Sequence, residues 1–126
     1  MTSISKCSIY ENMKVRNYEI LELHAEFCKT MAHPKRLAIV TLLEEKEMTV
    51  GEFAEVLEMP IANVSQHLKA LRDHDIVTTR KDGQKVYYSL TDERLIKACD
   101  MIKEIITSLH KRKGEMIDSE DFSEET

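Results

Sequence analysis

The stretch from Met59 to Leu90, MPIANVSQHLKALRDHDIVTTRKDGQKVYYSL, constrains this chain more than any other. Val64, Leu68 and Leu71 fall at the i, i+4, i+7 spacing of a helix with one buried face. Ala70 flanks that stripe, and the other face carries Asn63, Ser65, Gln66, Lys69 and Arg72. The helix has to end near Asp73-His74-Asp75, where two β-rich runs begin, Ile76 to Arg80 and Lys85 to Leu90. Between the runs stands Asp82-Gly83, the strongest short hairpin signal a sequence offers. A polar-faced helix followed at once by a hairpin with Arg80, Lys81 and Lys85 at its tip is the layout of a winged helix-turn-helix. Such a helix fits a DNA major groove, and such a wing fits the adjacent backbone. The plain alternative is a helix-hairpin unit with a solvated face.

The flanking segments supply what that unit needs. Residues 1–16 lack periodicity and read as a flexible arm. Asn17 is an N-cap candidate for a first helix, NYEILELHAEFCKTMA, on which Ile20, His24, Phe27, Cys28 and Met31 share a face beside Leu23. Pro34 opens a second helix, PKRLAIVTLLEE, with Leu37, Ile39, Val40 and Leu43 turned inward. Thr49 and Glu52 form a capping-box pattern at the head of a third, carrying Phe53, Val56 and Leu57. Glu58-Met59-Pro60 is then the tight corner of the helix-turn-helix. After the wing, Thr91-Asp92-Glu93-Arg94 caps a last helix running to about Lys111. Leu95, Cys99, Ile102, Ile106 and Leu109 line its seam, widened by Ile96, Ala98 and Ile105. The expected fold is mainly α with a small β-hairpin wing. Residues 17–113 form its DNA-binding and dimerisation domain, and residues 114–126 form an acidic, disordered tail.

Net charge and cysteine usage narrow the function. A net charge of -5 looks wrong for a DNA binder, but residues 114–126 hold six acids and no Lys or Arg. Without them the balance is +1, and Ile61 to Tyr88 carries five cations against three acids. Three Cys without a close pair argue against a disulfide framework. No apolar run reaches membrane-spanning length and no signal pattern opens the chain, so a cytoplasmic protein without membrane contact is expected. His24 with Cys28 is the sole nucleophile-base pair in sight and no Gly-rich phosphate loop exists, so the chain reads as no enzyme. The core and wing can bury themselves without a long terminal helix. The apolar stripes of the first and last helices therefore point to a homodimer, which would set two recognition helices about one DNA turn apart on a palindromic operator.

MAHPKRLAIVTLL (Met31 to Leu43), VSQHLKALRDHDIV (Val64 to Val77) and RKDGQKVYYSL (Arg80 to Leu90) together resemble the ArsR/SmtB family of small dimeric repressors. The three segments cover about half the chain, in the family's order and spacing. The resemblance implies a winged-helix homodimer on double-stranded operator DNA, released, or sometimes retuned, by a small inorganic or redox signal. Carried over by position, Asn63, Ser65 and Gln66 address the major groove, and Lys69, Arg80, Lys81 and Lys85 reach phosphates. His67 is expected to make a structural hydrogen bond between helices, and Arg72 to reach DNA or pair internally. The family often has polar residues where Pro60-Ile61-Ala62 stand here.

The family's metal sites are absent. Thr49 and Gly51 occupy the positions of its Cys-x-Cys pair, and neither supplies a thiolate. Asp92 survives from its last-helix site, but Arg94 replaces the first His, and Ile105 and Ser108 replace the second pair. His24 and Cys28, one turn apart, could join Cys99 in holding a soft metal, or the two Cys could pair on oxidation. Both Cys could equally be small core hydrophobes, with His24 merely satisfied at the helix flank. Cys7 is a further candidate ligand, while His33, His74 and His110 read as surface residues. No cofactor is firmly implied. The competing functional class is a winged-helix module for protein contacts without specific DNA binding.

Overall fold

The computed structural model describes residues 18–114. The expected arm, the Asn17 cap, Cys7 and the tail after Gly114 lie outside the described residues. The chain divides into two units, one ending at His33 and the other beginning at Pro34.

In the first unit residues 18–31 are helical (α1). Thr30 Oγ1 donates back to the Glu26 carbonyl at 3.0 Å, so its buried hydroxyl keeps a partner. Thr30 and Met31 are buried, Phe27 is half-buried, and Ile20 and Leu23 are exposed. The expected apolar face is thus covered only at its C-terminal end.

The second unit runs α2 (Pro34–Leu42), α3 (Val50–Leu57), α4 (Ile61–Asp73), β1 (Val77–Asp82), β2 (Lys85–Leu90) and α5 (Arg94–Arg112). Pro34 stands at the first position of α2, where its missing N–H costs no hydrogen bond. At the head of α3 the Thr49 hydroxyl accepts from the Glu52 N–H at 3.2 Å, and Glu52 Oε1 accepts from the Thr49 N–H at 3.0 Å. The capping box expected from Thr49 and Glu52 is therefore closed in both directions. Glu58, in the left-handed region at φ 52, ends α3, and Pro60 leads straight into α4. These few residues turn the chain sharply enough for α3 and α4 to pack together.

The core is built around α4, which packs against α2, α3 and β1. Val64, Leu68 and Leu71 are fully buried with Phe53 and Ile39, and Val40, Leu43, Met48, Ile76 and Val77 close the cluster. Two expected core positions fall elsewhere. Leu37 and Val56 are exposed, because α2 spans only 9 residues and α3 only 8, and each buries a stripe narrower than its apolar content. The wing also differs in detail. Its strands pair antiparallel from Val77 with Leu90 to Asp82 with Lys85, so the two-residue turn is Gly83-Gln84 rather than Asp82-Gly83. Gly83 has φ +62 and Gln84 does not share it, the pattern of a type II′ turn with Gly at its first central position. Met48 adds a single antiparallel bridge to Tyr88, with N–H···O distances of 3.0 and 2.8 Å, tying the wing to the segment before α3.

α5 starts after Asp92, whose Oδ1 accepts from the Arg94 N–H at 2.9 Å. None of its residues is buried. Leu95, Ile96 and Cys99 are half-buried, and Ile102, Ile105, Ile106 and Leu109 are exposed. The seam is present and open. No helix among the described residues is long and apolar enough to cross a membrane.

Candidate nucleic-acid interface

The periodicity that buries Val64, Leu68 and Leu71 necessarily turns Asn63, Ser65, Gln66 and Lys69 outward, and all four are exposed. Their chemistry is ordered along the helix. Asn63, Ser65 and Gln66 in the first half are neutral groups that both donate and accept, whereas Lys69 in the second half is a cation. Lys69 Nζ bonds the Asp73 carboxylate one turn on at 2.9 Å, and this contact holds the Asp73 carboxyl below its ordinary range. Both partners are exposed, so a phosphate can compete for the ammonium at little cost. Arg72 is exposed and forms no ion pair among the described residues. His67 behaves as the sequence predicts. Its Nδ1 accepts from Arg36 Nε at 3.2 Å, joining α2 to α4. That bond fixes the inner flank of the helix and takes His67 out of base reading.

The wing places its cations unequally. Arg80 donates from Nε to Glu47 Oε2 at 3.2 Å and from its second guanidinium nitrogen to Glu47 Oε1. Its guanidinium carbon also lies 4.9 Å from the centroid of the Tyr87 ring, its cross-strand neighbour. The Arg80 hydrogen bonds hold the Glu47 carboxyl below its ordinary value, so the pair is fully ionised at neutral pH. Lys81 and Lys85, by contrast, are exposed and carry no ion pair among the described residues. Glu47 lies 33 residues before Arg80 and carries no local signal, so nothing in the sequence points to this clamp.

The residues considered for signal sensing are less assembled. His24 and Cys28 are exposed on α1. Cys99 is half-buried on α5, and burial pushes its thiol up, away from the reactive thiolate. Neither cysteine is in a disulfide. Among the described residues no three His, Cys, Asp or Glu side chains gather as a metal site would need. At the head of α5 the Asp92 carboxylate is taken by Arg94, with Nε at 3.1 Å from both oxygens and the outer nitrogen at 2.6 Å from Oδ2. Those bonds bring the Asp92 carboxyl down to about 2. A side chain so engaged offers a metal little. Of the other histidines, His74 is exposed with its Nδ1 3.1 Å from the Ala70 carbonyl, whereas His33 and His110 are half-buried rather than on the surface.

Comparison with known proteins places this arrangement. A helix-turn-helix domain family matches residues 31–80. The nodulation protein NolR of Rhizobium meliloti is 38% identical over 88 residues, 70% of this chain and 72% of that protein. The transcriptional repressor SmtB of Mycobacterium tuberculosis is 40% identical over 77 residues, 61% of this chain and 57% of that protein. Among solved structures, a homodimeric winged helix-turn-helix DNA-binding domain from Mycobacterium bovis, a possible ArsR-family transcriptional regulator, aligns with a TM-score of 0.66. It is 26% identical, and the match covers 72% of this chain and 84% of that one.

Proposed function

Since this chain belongs to the ArsR/SmtB family of winged helix-turn-helix transcriptional regulators, we propose that it is a homodimeric repressor of transcription that binds a palindromic operator in double-stranded DNA. The observation that carries the reading is the exposed face of α4, where Asn63, Ser65 and Gln66 precede Lys69 opposite a fully buried Val64-Leu68-Leu71 stripe. The neutral residues suit base edges in the major groove, and the cation suits the backbone beside it. Lys81 and Lys85 on the wing reach phosphates directly. Arg80 does so by exchanging the Glu47 carboxylate for a phosphate. The second copy is needed because a single winged helix reads too short a site, and the open seam of α5 is the surface it would cover.

Selection of binding sites from random duplexes tests this. The expected product is a two-fold symmetric sequence, with half-sites about one helical turn apart. Affinity for it should fall linearly with salt on a log-log scale, by about 0.9 per phosphate neutralised. A protein-contact module without specific DNA binding would select no sequence and contradict the reading.

The inducing signal is assigned to chemistry other than the family's metal sites. A soft metal or an oxidant acting through Cys28 or Cys99, with His24 as a further ligand, is the chemistry these side chains allow. Operator affinity of the wild type, Cys28→Ser and Cys99→Ser with and without oxidant decides it. Equal wild-type affinities in both conditions would remove the thiols from the account.

A further inference from the structure

The first turn of α4 carries an apolar side chain that the described fold leaves more than half exposed. Ile61 is 59% exposed, and Ala62 after it is exposed too, although α4 buries three other aliphatic residues completely. Ile61 lies one turn before both Val64 and Ser65, so it stands at the edge where the core stripe meets the exposed flank of α4. Because Cα–Cβ bonds tilt toward a helix's N-terminus, the Ile61 side chain reaches past the leading end of α4. Pro60 at the N-cap makes no side-chain capping hydrogen bond, and the first turn holds no acid to repel a nucleic-acid backbone.

The leading turn of a recognition helix is the part that meets base edges. Most features of the major-groove edge are hydrogen-bonding groups, and the apolar one is the C5-methyl of thymine. An aliphatic side chain satisfies none of the former and fits the latter. We propose that Ile61 is a specificity-determining residue that seats against the 5-methyl of one thymine in each half-site. The proposal rests on the regulator reading above and adds what one position of the operator must be. Contact between the two apolar groups removes water from both without requiring a hydrogen bond. Cytosine at that position would lose the methyl and leave its N4 amine facing a side chain that cannot accept.

The test uses selected operator duplexes in which each thymine is replaced singly by deoxyuridine, which removes the methyl and nothing else. At one thymine per half-site the wild type should lose about fourfold in affinity, the ~0.8 kcal/mol of one buried carbon group. Ile61→Ala should bind the thymine operator more weakly and no longer distinguish thymine from deoxyuridine there. Gln66→Ala should keep the distinction. The proposal is overturned if no deoxyuridine weakens the wild type, or if Ile61→Ala keeps the full methyl effect. It is also overturned if Ile61→Ala markedly lowers thermal stability, since Ile61 would then be a packing residue. A wild type without any sequence preference would instead contradict the regulator reading itself, and this assignment with it.

Discussion

Two side chains show how much of this protein's chemistry depends on one partner. Asp92 carries two bonds from the Arg94 Nε, one from its outer nitrogen and one from its backbone N–H, which bring its carboxyl from 3.8 to about 2. The folded value lies below the ordinary one, so the contribution to stability is complete above about 3.8 and is lost as pH falls toward about 2. A carboxyl titration followed by NMR should give a midpoint near 2 for Asp92. The midpoint should move back toward 3.8 in Arg94→Ala, and an unmoved midpoint would mean that the pair is not formed in solution. Gln66 is the opposite case, an exposed amide without a hydrogen-bond partner in the isolated chain among the described residues. Gln66→Ala should weaken specific binding by about 1–3 kcal/mol and relax preference at one base pair, because a bidentate contact is lost. Unchanged preference would take Gln66 out of the groove. The placement of Asn63, Ser65 and Gln66 was legible from periodicity alone. The clamp of Arg80 on Glu47 was not, since two residues so far apart in sequence leave no mark until the chain folds.

At the scale of elements, the wing is positioned by three devices of different kinds. Its turn depends on the backbone of Gly83, at φ +62, where an added Cβ would meet no atom within 4 Å. The cost of Gly83→Ala is therefore conformational and should be about 1–2 kcal/mol in denaturant unfolding. A neutral result would show that the turn relaxes into another type. The Met48–Tyr88 bridge and the Glu47–Arg80 pair then tie β1 and β2 to the segment ahead of α3. Glu47→Gln weakens that grip and releases Arg80 toward the phosphate backbone. It should raise affinity for all sequences alike, because binding no longer breaks an ion pair, whereas Arg80→Ala should flatten the salt slope by up to about 0.9. A slope unchanged in Arg80→Ala would show that Arg80 makes no phosphate contact. The hairpin itself was readable from Asp82-Gly83, but the turn lies one residue later because Asp82 pairs with Lys85 and closes the ladder. The Met48 bridge escaped the sequence because one paired residue has no period. Leu37 and Val56 misled for the reverse reason, since apolar residues in short helices outnumber the buried positions available.

For the molecule as a whole, charge and apolar surface point the same way. Six acids and no Lys or Arg stand in residues 114–126, which leaves the remainder of the chain at +1, with five cations against three acids from Ile61 to Tyr88 across α4 and the wing. α5 meanwhile exposes Met101, Ile102, Ile105, Ile106 and Leu109 along one long helix, a surface that a single chain leaves wet. Placing a charge in that seam, as in Ile105→Glu, should convert the dimer to monomer in sedimentation and leave the secondary structure intact. A dimer that persists would put the interface elsewhere. The central claim, that two copies read one palindrome through α4, is tested most directly by titrating the protein into the selected operator and into a scrambled duplex at one physiological salt concentration. The account predicts two protomers per operator and an affinity at least about 10³-fold above that for the scrambled duplex. One protomer per operator, or equal affinity for the two duplexes, would contradict it.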